Sequence, residues 1–100
     1  VEARIAEWEA EEQRTQLSMK VDELRQSLLQ TRSTLDYYET AALPEAEELH
    51  RSALALYNEG ETAAAALVQS LKAARDVRTN YVEAVRQYNA ALIELELYTN

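Results

Sequence analysis

The residues able to do chemistry are few and far apart. His50 is the single histidine, and Glu47 precedes it by one helical turn, a spacing that offers two metal ligands. Two ligands do not make a site, because bound metals take more, from converging elements. No metal is therefore expected, and His50 reads as a solvated surface residue. Cysteine is absent, which removes thiolate ligands, disulfides and a cysteine nucleophile together. That absence suits an oxidising compartment. Six tyrosines invite a ligand site or an aromatic pore. Tyr38, Tyr81 and Tyr88, however, fall on apolar helical stripes, where packing with the hydroxyl at the edge is the plainer role. Trp8 lies in a charged stretch and suits an anchor for a neighbour outside the chain. Catalysis needs a nucleophile beside a base, or paired carboxylates in a pocket. No such constellation appears, so no catalytic residue, no cofactor and no enzyme are expected.

One short stretch remains as a candidate site. Tyr57-Asn58-Glu59-Gly60-Glu61-Thr62 contains the only glycine, between two long segments of apolar residues at helical spacing. Gly takes the left-handed conformation that ends a helix at no steric cost, and Asn58 tolerates it too. Thr62 is placed to cap a following helix. The chain is expected to fold back here. The tip is then where it offers an aromatic, charge and irregular backbone to a partner.

Composition says which elements must hold that tip. The chain has 100 residues, one Gly and one Pro. Ala, Leu, Glu, Gln and Arg dominate, all good helix formers, and so little turn material means very few helices. The expected fold is all-α: a long antiparallel two-helix coiled-coil hairpin, with helices at about 2–57 and 62–98 and a tip at 58–61. A net charge of −8 argues against nucleic acid and against an anionic membrane surface. No apolar run approaches a membrane span, and no signal peptide is visible. The chain begins with Val rather than Met, so it reads as a piece of a longer protein.

The apolar spacing sharpens this. Leu17, Val21, Leu24, Leu28, Thr31, Leu35 and Tyr38 step by four and three, the a/d seam of a coiled coil. Ala42, Ala46, Leu49, Ala53 and Leu56 continue it after one extra four-residue step, which locally unwinds a supercoil. Pro44 falls inside that interruption, where its ring crowds the Thr40 carbonyl. A kink and a break are both open; the resumed phase of the stripe favours the kink. In the second segment Leu67, Leu71, Ala74, Arg78, Tyr81, Val85, Tyr88, Leu92 and Leu95 form one stripe. Ala63, Ala66, Ser70, Val77, Ala84 and Ala91 form another, mostly of small residues. Two such flanks imply packing on two sides, hence a larger helical assembly. Folding about Gly60 sets position 20 opposite position 100. Residues 1–20 then overhang, at the end of a first helix about 85 Å long, and would fray unless something packs on them. Self-association is the expected remedy.

Four stretches in fixed order carry a family resemblance. Leu35-Asp36-Tyr37-Tyr38-Glu39 leads into Ala42-Leu43-Pro44-Glu45-Ala46-Glu47. Ala53, Tyr57 and Gly60-Glu61 follow. Then come Leu67, Leu71 and Ala74-Arg75, and the run Tyr81, Ala84, Tyr88-Asn89, Ala91-Leu92-Ile93-Glu94-Leu95 closes the set. These segments resemble the C-terminal periplasmic helical hairpin of TolC-type outer-membrane efflux proteins, closest to the heavy-metal (CusC/CzcC-like) branch. Asn100 stands where the family has Gly, and Ala63–Ala66 is plainer than the family's tip-proximal stretch. The resemblance implies a tunnel segment of a trimeric exit duct, in the periplasmic part of a bacterial outer-membrane protein. It implies that Tyr57, Asn58, Glu59, Gly60, Glu61 and Thr62 meet a periplasmic adaptor and, through it, an inner-membrane pump, with heavy metals as the exported class.

Two other readings fit in part. A helical protein-interaction array such as tetratricopeptide repeats would suit the Ala53 to Glu61 stretch. Such repeats need a breaker every dozen or so residues, and none occurs from Thr62 to Asn100. A periplasmic adaptor (membrane fusion protein) hairpin would show similar helices, and the stretch around Pro44 favours the duct. The sequence upstream of Val1 would discriminate: barrel strands mean duct, a lipoyl-like half-motif means adaptor.

Overall fold

The structure is a computed structural model and describes residues 1–99. The difference from the family at Asn100 lies outside the described residues. Helix α1 spans Glu2–Tyr37, a π-helical turn covers Tyr38–Ala42, α2 spans Leu43–Asn58, and α3 spans Ala64–Thr99. α1 and α2 run on through the π turn as one arm, and α3 returns along it. The result is an all-α hairpin 84 Å long and 21 by 15 Å across. There is no strand among the described residues.

The first arm is therefore neither one regular helix over 2–57 nor two broken ones. Where the heptad carries its extra four-residue step, the backbone widens. The Leu43 N–H reaches back five residues to the Tyr38 carbonyl, and this π turn absorbs the surplus residue. Pro44 is the next position and has no N–H to give. The wide turn cannot propagate past it, and the α pattern restarts with Pro44 in its first turn. Thr40 adds a hydroxyl bond of 2.6 Å to the Asp36 carbonyl, four residues back. Such back-bonds reinforce a local bend.

Past the surplus residue Ala46 and Ala53 keep their expected inward places, but the expected leucines do not. Leu49 and Leu56, expected on the seam, are exposed, and His50 takes the inward place between Ala46 and Ala53. Helix α3 shows a second reassignment. Its buried or half-buried line includes Leu67, Ser70, Ala74, Val77, Tyr81, Ala84, Val85, Tyr88, Ala91, Leu92 and Leu95, with Ser70, Ala74 and Ala84 the most enclosed. Leu71 and Arg78 are exposed instead. The seam thus keeps most of the first expected stripe and adds Ser70, Val77, Ala84 and Ala91 from the small-residue flank, whose Ala63 and Ala66 are exposed; Ser and Ala there let the two backbones come close. Leu24 and Leu35 of α1 fill the space opposite and are 7% and 3% exposed.

The seam is thin. Among the described residues only Leu24, Leu35, Ala74 and Ala84 are buried apolar side chains. Ile5, Trp8, Met19, Leu29, Val68, Val82, Ile93 and Leu97 all lie more exposed than buried or nearly so. At the open end Lys20 pairs with Glu94 at 3.5 Å. Tyr98 shares a shallow groove with Gln13, Gln16 and Leu17. Position 20 is thus level with about 94 rather than 100, and the overhang shortens to residues before about Gln13. It is helical throughout from Glu2. Among the described residues no helix is long and apolar enough to cross a membrane.

Candidate functional site

The tip is built by the end of α2. The Gly60 N–H donates to the Tyr57 carbonyl at 3.0 Å, and the Glu61 N–H donates to the Leu56 carbonyl at 2.9 Å. These two bonds are the Schellman pairing, which satisfies carbonyls a helix end leaves open. It requires a left-handed residue between them, and Gly60 has φ +75°. The left-handed glycine expected from sequence is where the chain turns. A Cβ at Gly60 would meet nothing within 4 Å, so the requirement is conformational and not a matter of space.

The expected Thr62 cap is not formed. α3 starts at Ala64, and Ala63, which carries no side-chain acceptor, precedes it. The Ala66 N–H bonds the Ala63 carbonyl at 3.1 Å, so a tight first turn stands in for a side-chain cap. Thr62 is half-buried one position further out. Tyr57 and Leu56 are 42% and 43% exposed. Asn58, Glu59, Gly60 and Glu61 are exposed with them. The six expected tip residues are therefore contiguous in space. They present one aromatic ring and two carboxylates on a turn closed by two backbone bonds, with Leu56 exposed beside them.

Two polar contacts tie the arms together behind the tip. His50 is not a solvated surface residue. Its Nδ1 lies 3.3 Å from Ser70 Oγ, across the seam. The Ser70 hydroxyl spends its proton on the Leu67 carbonyl at 2.7 Å. Its oxygen is left to accept, so Nδ1 of His50 carries the hydrogen. Glu47 is exposed, and no group of three or more His, Cys, Asp or Glu converges on a common point among the described residues.

The second contact sits at the π turn. The Tyr81 hydroxyl donates to Glu39 Oε1 at 2.9 Å. Arg32 reaches Asp36 at 2.9 Å and Glu39 at 3.6 Å. The bond to the Glu39 carboxylate holds the Tyr81 pKa above its ordinary value, with some desolvation adding to it. The Tyr38 and Tyr81 rings meet at a tilt of 54° with centroids 6.1 Å apart, and Tyr37 meets Tyr38 edge-on at 5.9 Å. Tyr38, Tyr81 and Tyr88 are all half-buried on the seam, as their spacing predicts.

Both cross-arm bonds were within reach of simple arithmetic. Glu39 and Tyr81 are each 21 residues from Gly60, and His50 and Ser70 are each 10. Pairing equidistant positions about the glycine finds them; apolar periodicity does not, because it passes over polar residues. Set against protein-family models, curated proteins and solved structures, the chain matches none.

Proposed function

We propose that this hairpin is a periplasmic tunnel segment of a trimeric outer-membrane efflux duct, and that its tip docks to the periplasmic adaptor of a tripartite pump, most closely of the heavy-metal kind. The observation that carries the reading is the tip itself. Six consecutive residues around a left-handed Gly60 project from the end of an 84 Å rod, with Tyr57 exposed between carboxylates. No other stretch among the described residues combines backbone irregularity, an aromatic and charge at an end of the rod.

Two further features support it. The arms bury few side chains against each other, which suits a hairpin whose flanks meet neighbouring hairpins in a wall. The π turn next to Pro44 interrupts the regular winding of one arm without breaking it, which suits a hairpin that must fit against neighbours along its length. The periplasmic location, the trimer and the metal cargo rest on the resemblance of the four sequence stretches.

The test is binding of the chain to purified periplasmic adaptors of heavy-metal tripartite pumps, followed by calorimetry. Saturable binding that Tyr57→Ala or Glu61→Arg weakens at least fivefold is the expected result. Binding that is indifferent to both substitutions, or no binding to any such adaptor, would overturn the docking role.

A further inference from the structure

The first arm carries two seams in its sequence, and past the π turn the structure uses the less hydrophobic one. Val21, Leu28, Leu35, Ala42, Leu49 and Leu56 recur at a strict spacing of seven. An arm of regular α-helix would keep all six inward, with Leu24, Thr31, Tyr38, Glu45 and Ser52 as the alternating positions. The structure follows this series to Tyr38. Beyond the π turn the inward residues are Leu43, Ala46, His50 and Ala53, each half-buried. Leu49 is 58% and Leu56 43% exposed, and α2 holds no buried side chain. The two seams differ by one residue. Leu49 would stand where His50 now meets Ser70 at 3.3 Å, and Glu45 and Ser52 where Ala46 and Ala53 now stand.

Opposed preferences set the choice between them. Glu45 is exposed in the observed seam. Turned inward, its carboxylate would leave water for the neighbourhood of Ala73 and Val77, which offer it no partner. Pro44 lies in the first turn of α2. In an unbroken arm it would stand mid-helix, where its ring crowds the Thr40 carbonyl. Both residues favour the π turn. Against them, the regular arm would bury two leucines, return His50 to water and exchange the rare π pattern for the common α one. The tip has room for the change. Residues 59–63 are the non-helical residues between α2 and α3. A residue released by the π turn advances α2 by about 1.5 Å into that segment. Tyr57 follows His50 by seven, shares its phase, and is 42% exposed; it would turn outward as Leu56 turns in.

We propose that the first arm is a two-register device. The π turn at Tyr38–Ala42 stores one residue, and its release rotates α2 by about 100°, turning Leu49 and Leu56 in and His50 and Tyr57 out. Pro44 and Glu45 keep the stored form in the majority. The device links two distant places. A contact at the tip that favours an outward Tyr57 draws the residue out of the π turn, about 27 Å up the rod, and whatever holds the π turn acts back on the tip. The device does not rest on the duct reading. It is read from the register of the arm, whereas the duct reading is read from adaptor binding, so either can fail alone.

Because the chain has no cysteine, engineered pairs report the register. Ser70→Cys is combined in three variants with His50→Cys, Leu49→Cys or Arg51→Cys. The first pair lies across the observed seam. The other two are offset from it by one residue in opposite senses, so general opening of the arms treats them alike. Release of the stored residue brings position 49 to position 70 and carries position 51 away. Under mild oxidation of dilute chain, with intramolecular closure followed by denaturing electrophoresis, the pair at 50 should close fastest. The pair at 49 should close at least tenfold faster than the pair at 51. Adding Glu45→Leu should speed closure at 49 at least fivefold and slow it at 50, with helicity by circular dichroism unchanged. If Glu45→Leu loses helicity, Glu45→Gln with Ser52→Ala takes its place and is judged by the same ratio. Equal rates at 49 and 51, or a rate at 49 that relief of Glu45 leaves unchanged, would overturn the proposal.

Discussion

Replacing Gly60 isolates one physical effect, because the structure removes the usual competitor. A Cβ at this position meets nothing within 4 Å. Steric clash with neighbours therefore contributes nothing, and the whole cost is that of holding an L-residue at φ +75°. For an ordinary residue the left-handed region costs about 1–2 kcal/mol. Alanine recovers part of this, about 0.4–1 kcal/mol, by restricting the unfolded chain. Gly60→Ala should thus destabilise the hairpin by about 1 kcal/mol. Gly60→Val should cost more, since a β-branched residue is a true outlier there. Gly60→Asn should cost least. For a chain of this size 1 kcal/mol lowers the melting midpoint by roughly 4–8 °C. The assay is thermal unfolding followed by far-ultraviolet circular dichroism, all variants at one concentration. The expected order of midpoints is Gly, Asn, Ala, Val. An unchanged midpoint in Gly60→Val would mean that the Schellman closure at Tyr57 and Leu56 is not what joins the arms.

Other perturbations address the seam and the π turn. Leu35→Ala empties the most enclosed leucine, 3% exposed, and should cost about 2–4 kcal/mol in chemical denaturation. Ala84→Leu forces bulk into the close-approach flank and should cost about 1–3 kcal/mol; a neutral or stabilising result would mean the small residues do not set the arm spacing. Tyr81 should titrate above the ordinary tyrosine value in an ultraviolet pH titration, and Glu39→Gln should bring it down, because the Glu39 carboxylate accepts its hydroxyl. The folded pKa is raised, so this contact stabilises below the unfolded tyrosine pKa of about 10 and is lost as pH rises through the folded value.

Much of this architecture is written in residue types. One glycine among helix formers places the turn, and the Schellman bonds form where that glycine demands. The interrupted heptad signals a surplus residue. What it does not signal is how the surplus is absorbed. A kink at Pro44 keeps the downstream phase, whereas a π turn rotates it, and only the latter brings His50 inward and turns Leu49 out. The two stripes of α3 lie side by side, and periodicity alone does not choose between them. Leu71 and Arg78 turn out while Val85 and Leu92 stay half-buried, and Ser70 and Ala84 of the small-residue stripe become the most enclosed positions with Ala74, because the facing leucines of α1 already supply the bulk. Thr62 was a sound capping residue in the wrong register, since the Schellman turn runs two residues longer before α3 begins at Ala64.

The docking role of the tip is tested most directly by locating the contact. Backbone resonances of the labelled chain can be followed while a purified periplasmic adaptor of a heavy-metal tripartite pump is titrated in. Perturbations confined to Leu56 through Thr62, and abolished by Tyr57→Ala, are the predicted result. Perturbations spread along α3 or over residues 1–12 with a silent tip would contradict it.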